Sequence, residues 1–216
     1  MKVRMEQEIL QENEYQAEEN RRLFRRILTV NLIGSPGCGK TTLLEKTLES
    51  LAGEFRMAVI EGDIYTTKDA QRIQDRGVPV VQINTAGGCH LSAEITAKAA
   101  SDLNLANLDI LFIENVGNLV CPAEFDLGED CKVAVLSVAE GDDKPSKYPL
   151  LFQKSGIVIL NKCDLLPYTN FNMETAIRDI RGLNPDVPIL QTAAFRGDGL
   201  ARWFDWLRGE AKEKRK

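Results

Sequence analysis

The stretch Gly34-Ser35-Pro36-Gly37-Cys38-Gly39-Lys40-Thr41-Thr42 constrains this chain more than any other. It follows the apolar run 27–33 and opens a helical pattern over 43–51, so G-x-x-x-x-G-K-T stands between a strand and a helix. Glycines let the backbone curl so that successive N–H groups converge on an anion, and the positive end of the following helix adds to that field. Lys40 then reaches the β- and γ-phosphates as a catalytic cation, and the Thr41 hydroxyl is suited to ligating Mg²⁺. A nucleoside triphosphate is the expected ligand, held by Gly34, Ser35, Gly37, Cys38, Gly39, Lys40, Thr41 and Thr42. The bland alternative, a Gly-rich turn ahead of a helix, does not account for strand, glycines, Lys and Thr together.

Downstream, short β-branched runs at 57–61, 78–83, 109–114, 132–138, 156–160 and 188–192 alternate with amphipathic patterns at 67–76, 92–105, 173–183 and 200–214. That alternation predicts an α/β fold, a mostly parallel central sheet with helices on both faces and functional loops at the strands' carboxyl ends. Residues 5–28 read as a surface helix, acidic first and basic last, giving an appended helix over 1–28 and a nucleotide-binding domain over 29–216. Residues 141–149 read as loop. The 216 residues suffice for a core without staples, and a net charge of −5 argues against nucleic acid as the main partner. The glutamate-rich start does not resemble an export signal, no apolar run approaches a membrane span, and the five scattered cysteines suit a reducing compartment. A cytoplasmic location, with no membrane partner, is expected.

Asn161-Lys162-Cys163-Asp164 directly follows a predicted strand. A carboxylate at Asp164 accepts from both N1–H and the exocyclic amine of guanine, a pair that adenine does not offer, so GTP is the expected nucleotide. Thr192 and Ala193, ending the last strand, are candidates for holding the base from its other side. For hydrolysis, Glu61-Gly62-Asp63 and Glu114-Asn115-Val116-Gly117 close neighbouring strands. Asp63 is the candidate for Mg²⁺ or water positioning, with Asp69 as a more distant substitute. Glu114 is a further Mg²⁺ candidate and Gly117 the sensor of the γ-phosphate. An Asx turn is the structural alternative for Asp63.

Cys89-His90 and Cys121 also fall on the loop edge of the predicted sheet, and His90 is the chain's one histidine. Two thiolates and an imidazole suit Zn²⁺ or Ni²⁺ and not Mg²⁺; buried thiols beside an ordinary loop histidine remain the alternative. Three ligands leave a coordination position for water or for a second copy of the chain. Cys121 stands four residues after Gly117, so metal affinity is expected to differ between GTP and GDP states. Cys131 reads as a strand thiol, Cys163 as a spacer within its motif.

Together, the phosphate loop, Glu61-Gly62-Asp63, Gly88-Cys89-His90-Leu91, Glu114-Asn115-Val116-Gly117-Asn118-Leu119-Val120-Cys121-Pro122, Lys144-Pro145-Ser146-Lys147-Tyr148-Pro149 and Asn161-Lys162-Cys163-Asp164 resemble the HypB family. These are GTPases that assist nickel insertion into [NiFe]-hydrogenase, and the resemblance spans about 27–206. It implies a SIMIBI-type P-loop fold and a GTP-dependent homodimer, with the metal on Cys89, His90 and Cys121 near its interface. It also implies a small zinc-containing partner of the HypA type and delivery to the hydrogenase large subunit. Two departures stand out. This sequence has neither the N-terminal cysteine motif nor the histidine-rich run of some members, so a nickel-storage role is not expected. Ser35 stands where many SIMIBI ATPases carry a signature lysine; Lys144 and Lys147 are the alternative candidates at a dimer, with a solvated loop the favoured reading.

Three other functions compete with this one. The related urease GTPases join their metal Cys and His in one Cys-Pro-His stretch, whereas Ala123 follows Cys121-Pro122 here. A small-molecule kinase wants an arginine-rich lid, and 119–143 contains no arginine. A nucleotide-dependent interaction module without useful hydrolysis is the remaining one.

Overall fold

The computed structural model describes residues 2–63, 68–85 and 87–216. Helix α1 (Lys2–Leu23) precedes strand β1 (Leu28–Ile33) and helix α2 (Lys40–Leu51). There follow β2 (Met57–Asp63), α3 (Lys68–Gln74), β3 (Val80–Asn84), α4 (Ala93–Ser101), β4 (Ile110–Glu114) and α5 (Cys121–Glu124). The chain ends through β5 (Cys131–Ser137), α6 (Lys144–Lys147), α7 (Pro149–Lys154), β6 (Ser155–Asn161), α8 (Met173–Leu183), β7 (Ile189–Gln191) and α9 (Leu200–Lys214). Among the described residues the strands form one seven-stranded parallel sheet in the order β3-β2-β4-β1-β5-β6-β7. β4 returns beside β1 on one side and β5 opens the other, so the topological switch lies at β1, directly below the phosphate loop.

Successive strand residues point to opposite faces. On one face Leu32, Val59, Phe112, Val135 and Ile159 meet Leu43, Leu44 and Leu48 of α2 and Trp203 and Leu207 of α9 in a single apolar layer. Trp203 is completely buried there; its indole N–H donates to the Thr47 hydroxyl at 2.8 Å, so its one polar atom is satisfied. The other face carries two separate apolar groups. Ala134, Leu136, Val158 and Leu160 pack with α7 and α8, while Ala58, Ile60, Leu111 and Ile113 pack with α4, Phe24 and Ile27. Between these groups β1 and β5 present buried Thr29, Asn31 and Lys132.

Helix α1 is fixed by two asparagines. The Asn13 amide donates to the Asp126 carbonyl at 2.7 Å and its oxygen accepts from the Ala93 N–H at 2.9 Å. Asn20 donates to the carbonyls of Ala93 and Leu127 at 2.8 and 2.9 Å. The approach is close enough that a Cβ on Gly128 (φ 83°) would stand 2.5 Å from that of Asn20.

Three expectations change. The first helix does not run to 28: it ends at Leu23, and Phe24 and Ile27 turn into the sheet's core ahead of Leu28, which opens β1. Burial of that apolar run outweighs helical continuation. The helix sought over 92–105 stops at Ser101, and a 3₁₀ turn, Leu105–Asn107, follows. The stretch 141–149 is not all loop: Pro145 and Pro149 stand in the first turns of α6 and α7, where a missing N–H costs nothing. Thr67, the expected start of α3, lies outside the described residues.

Candidate functional site

The phosphate loop bends on Gly37 and Gly39, at φ 75° and 103°. Gly39 has a further constraint, since a Cβ there would stand 2.4 Å from Nδ2 of Asn161. Lys40 is buried, and its ammonium donates to the carbonyls of Gly34 and Ser35 at 3.1 and 3.3 Å. Cys38 is completely buried in the apolar layer, its thiol raised to about 11 by burial; its N–H donates to the Ser35 carbonyl, and it does not line the cavity above the loop. A cavity of about 340 Å³ opens above the loop, lined by Lys40, Thr41 and Thr42 and by Glu61, Asp63, Asp69, Arg72, Glu114, Gly117 and Lys162.

The acids at the two strand ends meet in this cavity. Glu61 and Glu114 are register partners across β2 and β4, and both are buried. The Thr41 hydroxyl donates to Oε1 of Glu114 at 2.7 Å, while Oε2 of Glu114 and Oε2 of Glu61 are buried without a hydrogen-bond partner. Burial, reinforced by the neighbouring carboxylates, raises Glu61 to about 8. Burial also raises Glu114, to about 7, against the opposing pull of Lys40 and Thr41. Orphaned carboxylate oxygens beside a hydroxyl form a hard, all-oxygen donor set, which fits Mg²⁺ and does not fit a soft metal.

Base-side residues line a second cavity of about 300 Å³, formed by Cys163, Asp164, Gln191, Thr192, Ala193, Arg196, Asp198 and Gly199. Asn161 is a structural pin: its amide donates to the Cys38 carbonyl at 2.9 Å, and its oxygen accepts from the Thr192 hydroxyl and the Ala194 N–H. The Thr192 side chain is thereby turned toward Asn161. Lys162, at φ 60°, donates to the Gly37 carbonyl at 2.6 Å and spans the space between the two cavities.

Cys89, His90 and Cys121 converge. Their ligand atoms lie within 4.8 Å of one another, with Sγ of Cys89 3.1 Å from Sγ of Cys121 and 3.4 Å from Nδ1 of His90. Cys89 is exposed and the other two are half-buried, so the triad opens to solvent. Burial lowers the imidazole of His90, favouring its neutral, ligating form, and its ring packs on Phe125 with centroids 3.8 Å apart. The hydrogen bond from Cys89 and burial raise the Cys121 thiol, so a bound metal would have to displace a proton. Asn118 joins the triad to the phosphate loop: it bridges Gly34 through the backbone and donates to the Cys89 carbonyl at 3.1 Å. Gly117 is packed so tightly on Pro36 that a Cβ would stand 2.8 Å from the Pro36 nitrogen.

Glu61 and Arg72 were not singled out from the sequence as site residues. Period-two alternation puts Glu61 on the face of Asp63, and that signal would have found it. Arg72 pairs with Glu45 at 2.5 Å and with Asp69 at 2.9 Å, holding α3 to α2; its spacing from Asp69 on a helix was the available cue.

The chain matches the family described as CobW/HypB/UreG, nucleotide-binding domain, over residues 28–191. It is 52% identical over 207 residues to the hydrogenase maturation factor HypB of Escherichia coli K12, covering 95% of this chain and 71% of that one. Among solved structures it is similar to HypB from Helicobacter pylori in complex with nickel, with a TM-score of 0.89 and 35% identity over 95% of this chain and 97% of that one. A hydrogenase maturation factor HypB from Archaeoglobus fulgidus gives a TM-score of 0.87 at 35% identity, covering 94% of this chain and all of that one.

Proposed function

This chain belongs to the HypB family of CobW/HypB/UreG nucleotide-binding proteins, and from that we infer that it is a GTP-hydrolysing hydrogenase maturation factor whose cargo is nickel. The observation that carries this reading is the convergence of Cys89, His90 and Cys121 within 4.8 Å on the loop that Asn118 bridges to the phosphate loop. A soft ligand set and a triphosphate cradle share one edge of the sheet, and neither a kinase nor a bare interaction module requires that pairing.

In this reading the loop N–H groups and Lys40 hold the phosphates, and Lys40 exchanges its present contacts with Gly34 and Ser35 for phosphate oxygens. Thr41 and Glu114 would hold Mg²⁺, with Asp63 and Glu61 in the same cavity; the bound ion would supply neutralisation of phosphate charge. Asp63 orients the attacking water, and Gly117 follows the presence of the γ-phosphate because it packs directly on Pro36 of the phosphate loop. Asp164 reads guanine, while Asn161 keeps the base-side and phosphate-side loops in register.

The triad's open side leaves room for water or for a ligand from a second copy, which supports a GTP-dependent homodimer as the working form. Zn²⁺ is a second cation that the donor set accepts, a HypA-like nickel/zinc protein and the hydrogenase large subunit are the partners, and the cytoplasm is the compartment. No described helix is long and apolar enough to cross a membrane. GTP and ATP turnover, each with and without Ni²⁺ or Zn²⁺, tests the reading. GTP-selective turnover is expected, with Ni²⁺ binding lost in Cys121→Ser; equal use of ATP would overturn the base assignment, and unchanged Ni²⁺ binding would overturn the triad.

A further inference from the structure

The buried polar residues dividing one face of the sheet form a continuous chain of hydrogen bonds. It begins beside His90, where the Leu91 N–H donates to Oδ1 of Asn115 at 3.3 Å. Nδ2 of Asn115 donates to Oδ1 of Asn31 at 3.2 Å, and Nδ2 of Asn31 donates to Oε1 of Glu129 at 3.0 Å. The same carboxylate oxygen lies 2.7 Å from Nζ of Lys132, and the other accepts from the Leu127 N–H at 2.6 Å. Lys132 then donates to the carbonyls of Pro122 and Phe125, at 3.2 and 2.7 Å. The first carbonyl lies within the short helix that begins at Cys121, and the second on the residue that caps it, whose ring packs on His90. The chain of bonds thus leaves one ligand loop, crosses β4 and β1, and returns to the other.

We propose that Asn31, Glu129 and Lys132 are positioning residues for the cation site, bracing the Cys121 loop against the Cys89–His90 loop through this buried connection. The proposal rests on the reading that Cys89, His90 and Cys121 hold a cation. Its physical basis is the environment of Lys132. An ammonium this buried is costly unless fully partnered, and two of its partners are main-chain carbonyls of a ligand-bearing loop. An apolar residue at 132 would serve the core equally well but would leave that loop without its hold. Outer partners of this kind orient metal ligands, and their loss typically costs about 10–100-fold in affinity.

The test uses the full chain and Ni²⁺ alone as probe, followed by thiolate-to-nickel absorption, alongside a fluorescent GTP analogue and thermal unfolding. Lys132→Met strands the Glu129 carboxylate, so the paired variant Glu129→Gln/Lys132→Met, which buries no lone charge, accompanies it. A rise of about tenfold or more in the Ni²⁺ Kd of the folded paired variant, with GTP-analogue affinity within about twofold of wild type, is expected. An Ni²⁺ Kd within about twofold of wild type would overturn the proposal. Phe112→Leu, on the all-apolar face, controls for general loss of stability; an equal rise in Kd there would also overturn it. Cys121→Ser separates the two levels. If it binds Ni²⁺ as wild type does, the cation reading itself fails; if it binds more weakly while the paired variant matches wild type, only the positioning role fails.

Discussion

The two faces of the sheet solve different problems with the same strands. Against α2 and α9, the side chains of β1, β2, β4, β5 and β6 merge into one uninterrupted apolar layer, and the indole N–H of its fully buried Trp203 is satisfied by Thr47. Against α4, α5 and α7, the apolar layer is split, and Asn31, Asn115, Glu129 and Lys132 occupy the division. The first arrangement maximises transfer from water and is non-directional. The second sacrifices apolar contact for bonds with fixed lengths and partners, which place particular loops. Stability and placement are therefore separable here, and substitutions on the two faces should report them separately.

The largest effect is expected on the divided face. Lys132→Ala leaves Glu129 buried without its cation and should cost about 3–5 kcal/mol in urea unfolding; a loss within about 1 kcal/mol would mean that the strip is a passive inclusion. On the continuous face, Leu48→Ala should cost about 2–5 kcal/mol by cavity formation and lost transfer, while leaving Ni²⁺ affinity where it was. A change in Ni²⁺ affinity there would break the separation.

At the site edge of the continuous face the effect is a pH dependence. Folded Glu61 and Glu114 retain protons well above 4.5, to about 8 and about 7, whereas the unfolded chain releases them near 4.5. The unfolded state thus binds fewer protons across that window, so stability of the metal- and nucleotide-free chain should fall as pH rises from 4.5 through 8. Thermal scans across this range should show the fall, and Glu61→Gln should flatten it; an equally steep profile in the variant would assign the dependence elsewhere. Smallest is Trp203→Phe, which removes the bond to Thr47 and should cost about 1–2 kcal/mol with no change in nucleotide binding.

Much of this arrangement was legible from spacing alone. A strand, Gly34–Thr42 and a helix form a local unit whose geometry follows from its own residues, and Asn161-Lys162-Cys163-Asp164 carries its strand with it. Cys89, His90 and Cys121 were each recognisable as ligand types at strand ends, but the separation between them depended on the order of β2, β3 and β4 across the sheet. The polar division was not legible. Asn31 within Leu28–Ile33 reads as a tolerated polar residue, and Lys132 as an exposed strand end; only the register of β1 on β5 brings them to the same face. Glu61 was legible from its alternation with Asp63, whereas its pairing with Glu114 across β2 and β4 was not. The helix ending at Leu23 was overextended because Phe24 and Ile27 satisfy a helical stripe and a sheet core equally well.

The clasp of α1 has a consequence for synthesis. Asn13 and Asn20 bond to backbone that lies 80, 107 and 113 residues later in the chain. A ribosome adding about 5–20 residues per second leaves this helix waiting roughly ten seconds for its docking surface. Throughout that interval Ala17 and Phe24, buried in the finished protein, lack part of their final packing, Gly128 for the one and Leu127 for the other. Over residues 2–26 six glutamates are matched by six lysines and arginines, so the waiting segment carries no net charge to keep it apart from other nascent chains.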